Sequence, residues 1–149
     1  MRILDKNKVS YKMVEYNNED GQIHGAALAA LINKPAEMVF KTLVTHSKQD
    51  LFIFVIPIAE ELDLKKAAKA AKEKKIEMLP MKELQQWTGY VRGGCSPVGM
   101  KKLFPTFIDL SASQLDMMLV SAGRIGLQME LNPHQLKEVV AAEFFDLIS

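Results

Sequence analysis

The residues best suited to chemistry cluster in one stretch, Thr88-Gly89-Tyr90-Val91-Arg92-Gly93-Gly94-Cys95-Ser96-Pro97-Val98-Gly99. Four glycines, a proline and a serine in twelve residues exclude a regular helix or strand. Glycine reaches positive φ without strain, and Pro97 fixes one φ and removes one donor. Such a loop is either an elaborate turn or a cradle whose backbone N–H groups face a ligand. Gly/Pro clusters mostly mark connections, so spacing alone favours a turn. The loop meets neither the dinucleotide fingerprint nor the P-loop pattern, and no Gly-Lys-Ser/Thr follows it. N–H dipoles in the loop could lower the pKa of Cys95 and make it a nucleophile. Activation of a thiol normally needs a base or cation beside it, and no histidine is adjacent in sequence. A non-catalytic cysteine is the stronger reading.

The second candidate is Lys41. Met38 to His46 reads as a strand with Met38, Phe40, Thr42 and Val44 on one face and Val39, Lys41 and Leu43 on the other. Both faces are largely apolar, so the strand lies inside the fold with Lys41 in its middle. An ammonium there needs an acceptor or a wet cavity, because burying it alone is very costly. Two readings stand: a lysine whose stem lies on apolar surface and whose head reaches water, or a functional lysine made useful by burial. Lys41 and two glycine-bearing loops together would form a cationic, donor-rich pocket with no evident protein nucleophile. Such a pocket suits an ester developing negative charge.

His24, His46 and His134 have no metal spacing, and one cysteine supplies neither a metal cluster nor an intramolecular disulfide. No metal or other cofactor is expected. No G-x-S-x-G elbow is present.

The elements that must position these residues fit one domain over 1–149. Hydrophobic content of 48% and charged content of 25% are ordinary for a globular protein. The longest apolar run, Leu51 to Ala59, is interrupted by Pro57 and too short for a membrane span. The first residues lack a signal peptide's apolar core, which leads to a cytoplasmic expectation. Short helices are expected over 1–9, 22–33, 62–74 with Asp63 as cap, 80–86, and from Asn132-Pro133 to about Val140. Strands are expected over 10–16, 38–46, 51–58, 106–109, 117–120 and 127–131. Ser111 is a candidate cap for a helical turn over 111–114, and 121–126 reads as the second glycine loop. Residues 142–148 are compatible with helix or strand. Hairpins outnumber strand–helix–strand units. The fold class is therefore α/β of the α+β type, a mixed, mostly antiparallel sheet with helices around it.

Net charge is only +1, which announces no nucleic-acid partner. Its distribution is less even. Lys65, Lys69 and Lys72 share a helix face, with Lys66, Lys74 and Lys75 near, and Lys101 and Lys102 follow the glycine loop. A solvated face is the ordinary reading, and phosphate contact the functional one. The last twenty residues are acidic, so a positive mouth on one side of a near-neutral protein is expected.

The segment Thr88–Lys102 resembles the signature of the YbaK family of free-standing aminoacyl-tRNA deacylases, related to the editing domain of bacterial prolyl-tRNA synthetases. Val39-Phe40-Lys41-Thr42-Leu43-Val44, Leu62-Asp63-Leu64-Lys65-Lys66 and Val120-Ser121-Ala122-Gly123-Arg124-Ile125-Gly126-Leu127 agree with it. The resemblance implies a curled, partly barrel-like sheet. It also implies cleavage of cysteine from mischarged Cys-tRNA(Pro), in some members also Cys-tRNA(Cys), through attack by the substrate's own thiol. Lys41 would then contact the substrate end, and Gly93, beside Gly94, would offer backbone hydrogen bonds at the reacting carbonyl. Tyr16, Ser121 and Gln128 would line the pocket. The family often carries an acid where this chain has Gln128. Lys65, Lys66, Lys69, Lys101 and Lys102 would meet tRNA, and prolyl-tRNA synthetase would be a transient partner. Oligomeric state is open. The alternatives are a deacylase for another small aminoacyl-tRNA, such as Ala-tRNA(Pro), and a non-catalytic tRNA- or nucleotide-binding module.

Overall fold

The structure is a computed structural model that describes residues 2–17, 26–48, 50–90, 95–100 and 103–149. The elements run α1 Arg2–Lys6, β1 Tyr11–Glu15, α2 Ala26–Leu31, β2 Phe40–Ser47, β3 Asp50–Pro57, α3 Leu64–Ala71 and β4 Glu77–Met78. After these come α4 Met81–Thr88, β5 Thr106–Asp109, β6 Met118–Arg124, β7 Leu127–Leu131, α5 Pro133–Val139 and β8 Glu143–Phe145. Single 3-10 turns cover Ala36–Met38 and Leu110–Gln114. Among the described residues, no helix is long and apolar enough to cross a membrane.

The strands form two sheets, a three-stranded one ordered β1-β7-β6 and a five-stranded one ordered β4-β2-β3-β5-β8. The first is antiparallel throughout. In the second, β2 pairs antiparallel with β3 and β4, whereas β3–β5 and β5–β8 are parallel. An isolated parallel bridge, Val39 to Leu119, joins the two sheets. Phe40 and Val55 from one sheet and Val120, Met129 and Leu131 from the other meet in one buried cluster. The combined sheet is thus curled around an apolar interior, as expected.

β3 is buried on both faces, which its unbroken apolar run Leu51–Ile56 requires. Phe52, Phe54 and Ile56 face Ala67, Ala68 and Ala70 of α3, where small side chains allow close approach. The Phe54 and Phe107 rings stack with centroids 5.4 Å apart. Asp63 caps α3 by accepting from Lys65 N and Lys66 N, and Asn132 caps α5 by accepting from His134 N and Gln135 N. Each such cap contributes about 1 kcal/mol.

Several local expectations change. The 111–114 turn is capped by Asp109, not Ser111. The Asp109 carboxylate accepts from Ser111 N, and its other oxygen accepts from Leu147 N. The expected glycine loop 121–126 is mostly strand: β6 runs to Arg124 with an irregularity after Ser121, and only Ile125 and Gly126 turn. The undecided end contains β8, whose pairing with β5 covers that strand's outer edge.

Candidate active site

β2 places Lys41 where three features meet. Val39 packs in the apolar cluster under α2, and Leu43 packs against the cluster under α3. Lys41 shares their face and lies between them, half-buried, in the gap between two covering layers. β6 meets β2 at Val39, and β4 meets it only from Thr45 onward, with Leu79 N donating to Val44 O. Lys41 therefore sits in the fork where β6 and β4 separate.

Lys41 and Ser121 each lie two residues beyond the bridged pair Val39 and Leu119, so both point to the face that Val39 and Leu119 share. Ser121 is the register partner of Gln128, and Gln128 of Val14. Leu119, Ser121, Gln128 and Lys41 occupy the same outer face of the curled sheet. Tyr16 joins them from the end of β1, where its N donates to Gly126 O at 3.0 Å. Gly126 has φ +95, and a Cβ there would stand 3.2 Å from Tyr16 O, so glycine is needed for this close approach. Four residues expected to line one pocket, Tyr16, Lys41, Ser121 and Gln128, thus fall on one face of the curled sheet. Gly93, Gly94, Lys101 and Lys102 lie outside the described residues.

Of the two unsatisfied buried side-chain atoms among the described residues, the one on Gln128 lies on this face and the one on Thr42 lies on the opposite face of β2. Buried polar groups are nearly always hydrogen-bonded. Thr45 donates to Phe52 O at 2.8 Å, and Thr106 donates to Phe104 O at 2.9 Å. Among the described residues, only Thr42 Oγ1 and Gln128 Oε1 are buried side-chain atoms without a partner. Gln128 is 2% exposed, so its amide oxygen is an acceptor held ready in a dry place. Thr42 shares its strand face with Phe40 and Val44, opposite Lys41, and sequence reading assigned it no role at the site. The available signal was a lone hydroxyl between Phe40 and Val44 on an apolar face, next to Lys41.

The glycine-rich stretch is fastened by Tyr90. Its hydroxyl donates to Val98 O at 2.7 Å, across the loop. A Cβ on Gly99 would fall 2.9 Å from that hydroxyl, and one on Gly123 would fall 3.1 Å from the ring edge. The ring thus lies against glycines of both the loop and the β6 irregularity, and joins the two. Burial pushes the Tyr90 phenol above its ordinary pKa, so it remains a donor. Cys95 is buried, and burial pushes its thiol up to about 12, although a hydrogen bond with Thr88 pulls the other way. A thiol held protonated is not a nucleophile.

A model of the aminoacyl-tRNA editing domain matches residues 24–139. The chain belongs to that family. Every described candidate, with the exception of Tyr16, falls within the matched span. The EbsC protein of Enterococcus faecalis (strain ATCC 700802 / V583), described as a candidate Cys-tRNA(Pro)/Cys-tRNA(Cys) deacylase, is 42% identical over 148 residues, 99% of this chain and 90% of that protein. Two crystal structures share the fold. One, of a candidate trans-editing enzyme for prolyl-tRNA synthetase, has a TM-score of 0.83 at 21% identity and covers 93% of this chain and 87% of its own. The other, of the hypothetical protein APE2540, has a TM-score of 0.86 at 20% identity and covers 99% of this chain and 97% of its own.

Within this editing domain the expected basic face divides. Lys65 and Lys69 are exposed on α3. Lys66 Nζ instead donates to Asp146 Oδ2 at 3.0 Å and to Ile148 O at 2.7 Å, so its ammonium ties α3 to the C-terminal segment. Of the histidines, His46 Nε2 lies 3.8 Å from Glu77, and His134 Nε2 lies 3.2 Å from Ser113 O. His24 is outside the described residues.

Proposed function

We propose that this protein is a free-standing editing deacylase that removes cysteine from mischarged Cys-tRNA(Pro), and also acts on Cys-tRNA(Cys). The observation that carries the reading is Lys41 in the fork of the sheet, on the same face as Ser121, Gln128 and Tyr16. The 42% identity to EbsC over nearly the whole chain supports the substrate. That face offers a cation, a hydroxyl and a buried acceptor but no activated nucleophile among the described residues. Cys95, the one thiol of the chain, is held protonated by burial. The substrate's own thiol fills that need. Its sulfur attacks the aminoacyl carbonyl carbon, a C–S bond forms, and the C–O bond to the tRNA 3′ oxygen breaks. The thiol proton ends on the departing 3′ oxygen, and a cyclic thiolactone is released.

The protein then has to hold the two ends of one substrate in attack geometry, an effect able to supply much of the rate. Lys41 contacts the substrate end and offsets charge developing on the carbonyl oxygen, with Gly93 and Gly94 contributing backbone donors. Gln128 accepts from the substrate's amino group without adding a charge, and Tyr16 and Ser121 bound the pocket. One domain over 1–149 carries the activity, without a metal or other cofactor. Selection among tRNAs comes from transient association with prolyl-tRNA synthetase, in the cytoplasm.

The test is ester loss from Cys-tRNA(Pro), Cys-tRNA(Cys) and Ala-tRNA(Pro) beside a Lys41→Ala control. Rapid loss of the cysteinyl esters alone is expected, slowed on the order of 10²-fold or more by the substitution. Loss of the alanyl ester would move the reaction to water as nucleophile. No loss from any substrate would overturn the deacylase reading and leave a tRNA-binding module.

A further inference from the structure

A concave surface lies at the opposite end of β2 from Lys41. It is a groove of about 570 Å3 between the end of β2, the C-terminal end of α3 and β4. Its lining carries Lys48, Lys72, Lys74 and Lys75, with His46 and Ser47 at its base. Two glutamates, Glu73 and Glu77, complete it. Glu77 is already engaged, with Lys75 Nζ at 2.8 Å and His46 Nε2 at 3.8 Å. Among the described residues, Lys48, Lys72 and Lys74 make no ion pair, and all three are exposed. The groove therefore presents an excess of exposed ammonium groups in a chain whose net charge is only +1.

We propose that this groove binds the phosphate backbone of the tRNA whose 3′ ester is held at Lys41. The proposal rests on the deacylase reading above for the identity of the nucleic acid. Three observations support it. First, the charge is complementary to a polyanion, and lysines serve phosphates as point charges without reading sequence. The backbone here is the carbonyl end of α3, so ammonium groups rather than N–H dipoles must do the binding. Second, Lys48 and Lys72 hold left-handed backbone, with φ 57 and φ 58, at positions where glycine would relieve strain. Lys8, Asn33 and Ala141 do so elsewhere, so the strain by itself assigns nothing. Here, however, two such lysines flank one cavity. Third, one strand carries both sites. From Lys41 to His46 along β2 is about 16 Å at roughly 3.3 Å per residue. A substrate held by its 3′ end at Lys41 whose backbone follows β2 meets the groove at that range, and β2 holds the spacing fixed.

The same geometry moves the expected tRNA footprint. Lys66 is tied to Asp146 and Ile148, whereas the groove lysines extend the exposed Lys65 and Lys69 face toward the β2–β3 turn.

The experiment compares wild type with Lys48→Gly/Lys72→Gly and with Lys74→Glu. Glycine suits both left-handed positions, so the double variant loses charge without losing stability. Binding of uncharged tRNA is measured across salt concentrations, and ester loss is measured on Cys-tRNA(Pro) and on a cysteinyl ester of a short 3′-terminal oligonucleotide. The double variant is expected to bind tRNA roughly tenfold more weakly near 0.1 M salt, with a log–log salt slope shallower by about two. Lys74→Glu weakens binding in the same direction. Cleavage of the short ester stays unchanged in both. Unchanged tRNA affinity and slope in both variants would overturn the proposal, as would equal loss on the short ester. Should wild type cleave neither ester while the variants still weaken tRNA binding, the deacylase reading fails and the groove stands.

Discussion

Cys95 occupies the place in the sequence where a nucleophile would be sought, and its surroundings make it a poor one. Its thiol is buried behind Tyr90 and Phe104 with its pKa pushed up to about 12, first by desolvation. A group whose folded pKa is raised favours the protonated form in the fold. Its contribution to stability is complete below the unfolded value near 9 and is lost as pH rises from there toward 12. Cys95→Ala is thus expected to keep full deacylase activity and to lessen the alkaline loss of stability between those limits. Alkylation by iodoacetamide should be slow in the native protein at pH 8 and fast in urea. Rapid native alkylation, or an inactive alanine variant, would reinstate the thiol as a catalytic group. The two orphan atoms make the complementary point. Thr42 Oγ1 and Gln128 Oε1 lie buried without partners, and such atoms cost free energy unless something outside the chain meets them.

At the scale of elements, the glycines serve packing as well as chemistry. Gly123 has φ +106, and its Cα faces the Tyr90 ring, whose hydroxyl spans to Val98 O. Gly123→Ala suffers twice, from backbone strain and from a ring contact at 3.1 Å, and should lose about 1–3 kcal/mol of unfolding free energy. In a Tyr90→Ala background only the strain remains, so the same change should cost less. Additive losses in urea denaturation of the four-member cycle would show that ring and glycine do not press on one another. The limits of sequence reading have the same origin. The caps Asp63 and Asn132, the β2–β3 hairpin and the burial of Lys41's strand were legible, because each depends on neighbours in sequence. The continuation of β6 through Ser121-Ala122-Gly123-Arg124 was not. It depends on pairing with β7 and on Tyr90 filling the space that glycine leaves, and both are contacts between distant residues. The Asp109 cap is local and was open to reading, whereas its second bond, from Leu147 N, joins residues far apart in the chain. Of the candidate site, Lys41, Tyr16, Ser121 and Gln128 were named by motif. That they share one face came only from the pairing of β1, β7 and β6 and the bridge from β6 to β2.

Across the whole molecule, the acidic C-terminal segment and the basic helix are not simply opposed faces. They are stitched together. Asp63 N donates to Leu147 O at 2.8 Å, Leu62 bridges to Ile148, and Leu147 itself is fully buried in the cluster under α3. Charge asymmetry read along the sequence therefore becomes partly cohesion, and what stays available for a polyanion is the surface from Lys65 and Lys69 to the groove. The stitches differ in strength for physical reasons. Asp109 is 2% exposed and accepts from two backbone donors, so removing its carboxylate strands both. Asp146 has 61% of its side chain exposed, where an ion pair contributes little. Lys66 is intermediate, since its ammonium also holds Ile148 O. In urea denaturation Asp109→Ala is expected to cost about 2–4 kcal/mol, Lys66→Ala about 1 kcal/mol and Asp146→Ala under about 1 kcal/mol. The order matters more than the values. If Asp146→Ala proved as costly as Asp109→Ala, the C-terminal segment would be held by charge attraction across the surface. If the order holds, it is held by a buried carboxylate satisfying backbone donors, and the lysines of α3 beyond Lys66 are released from structural duty.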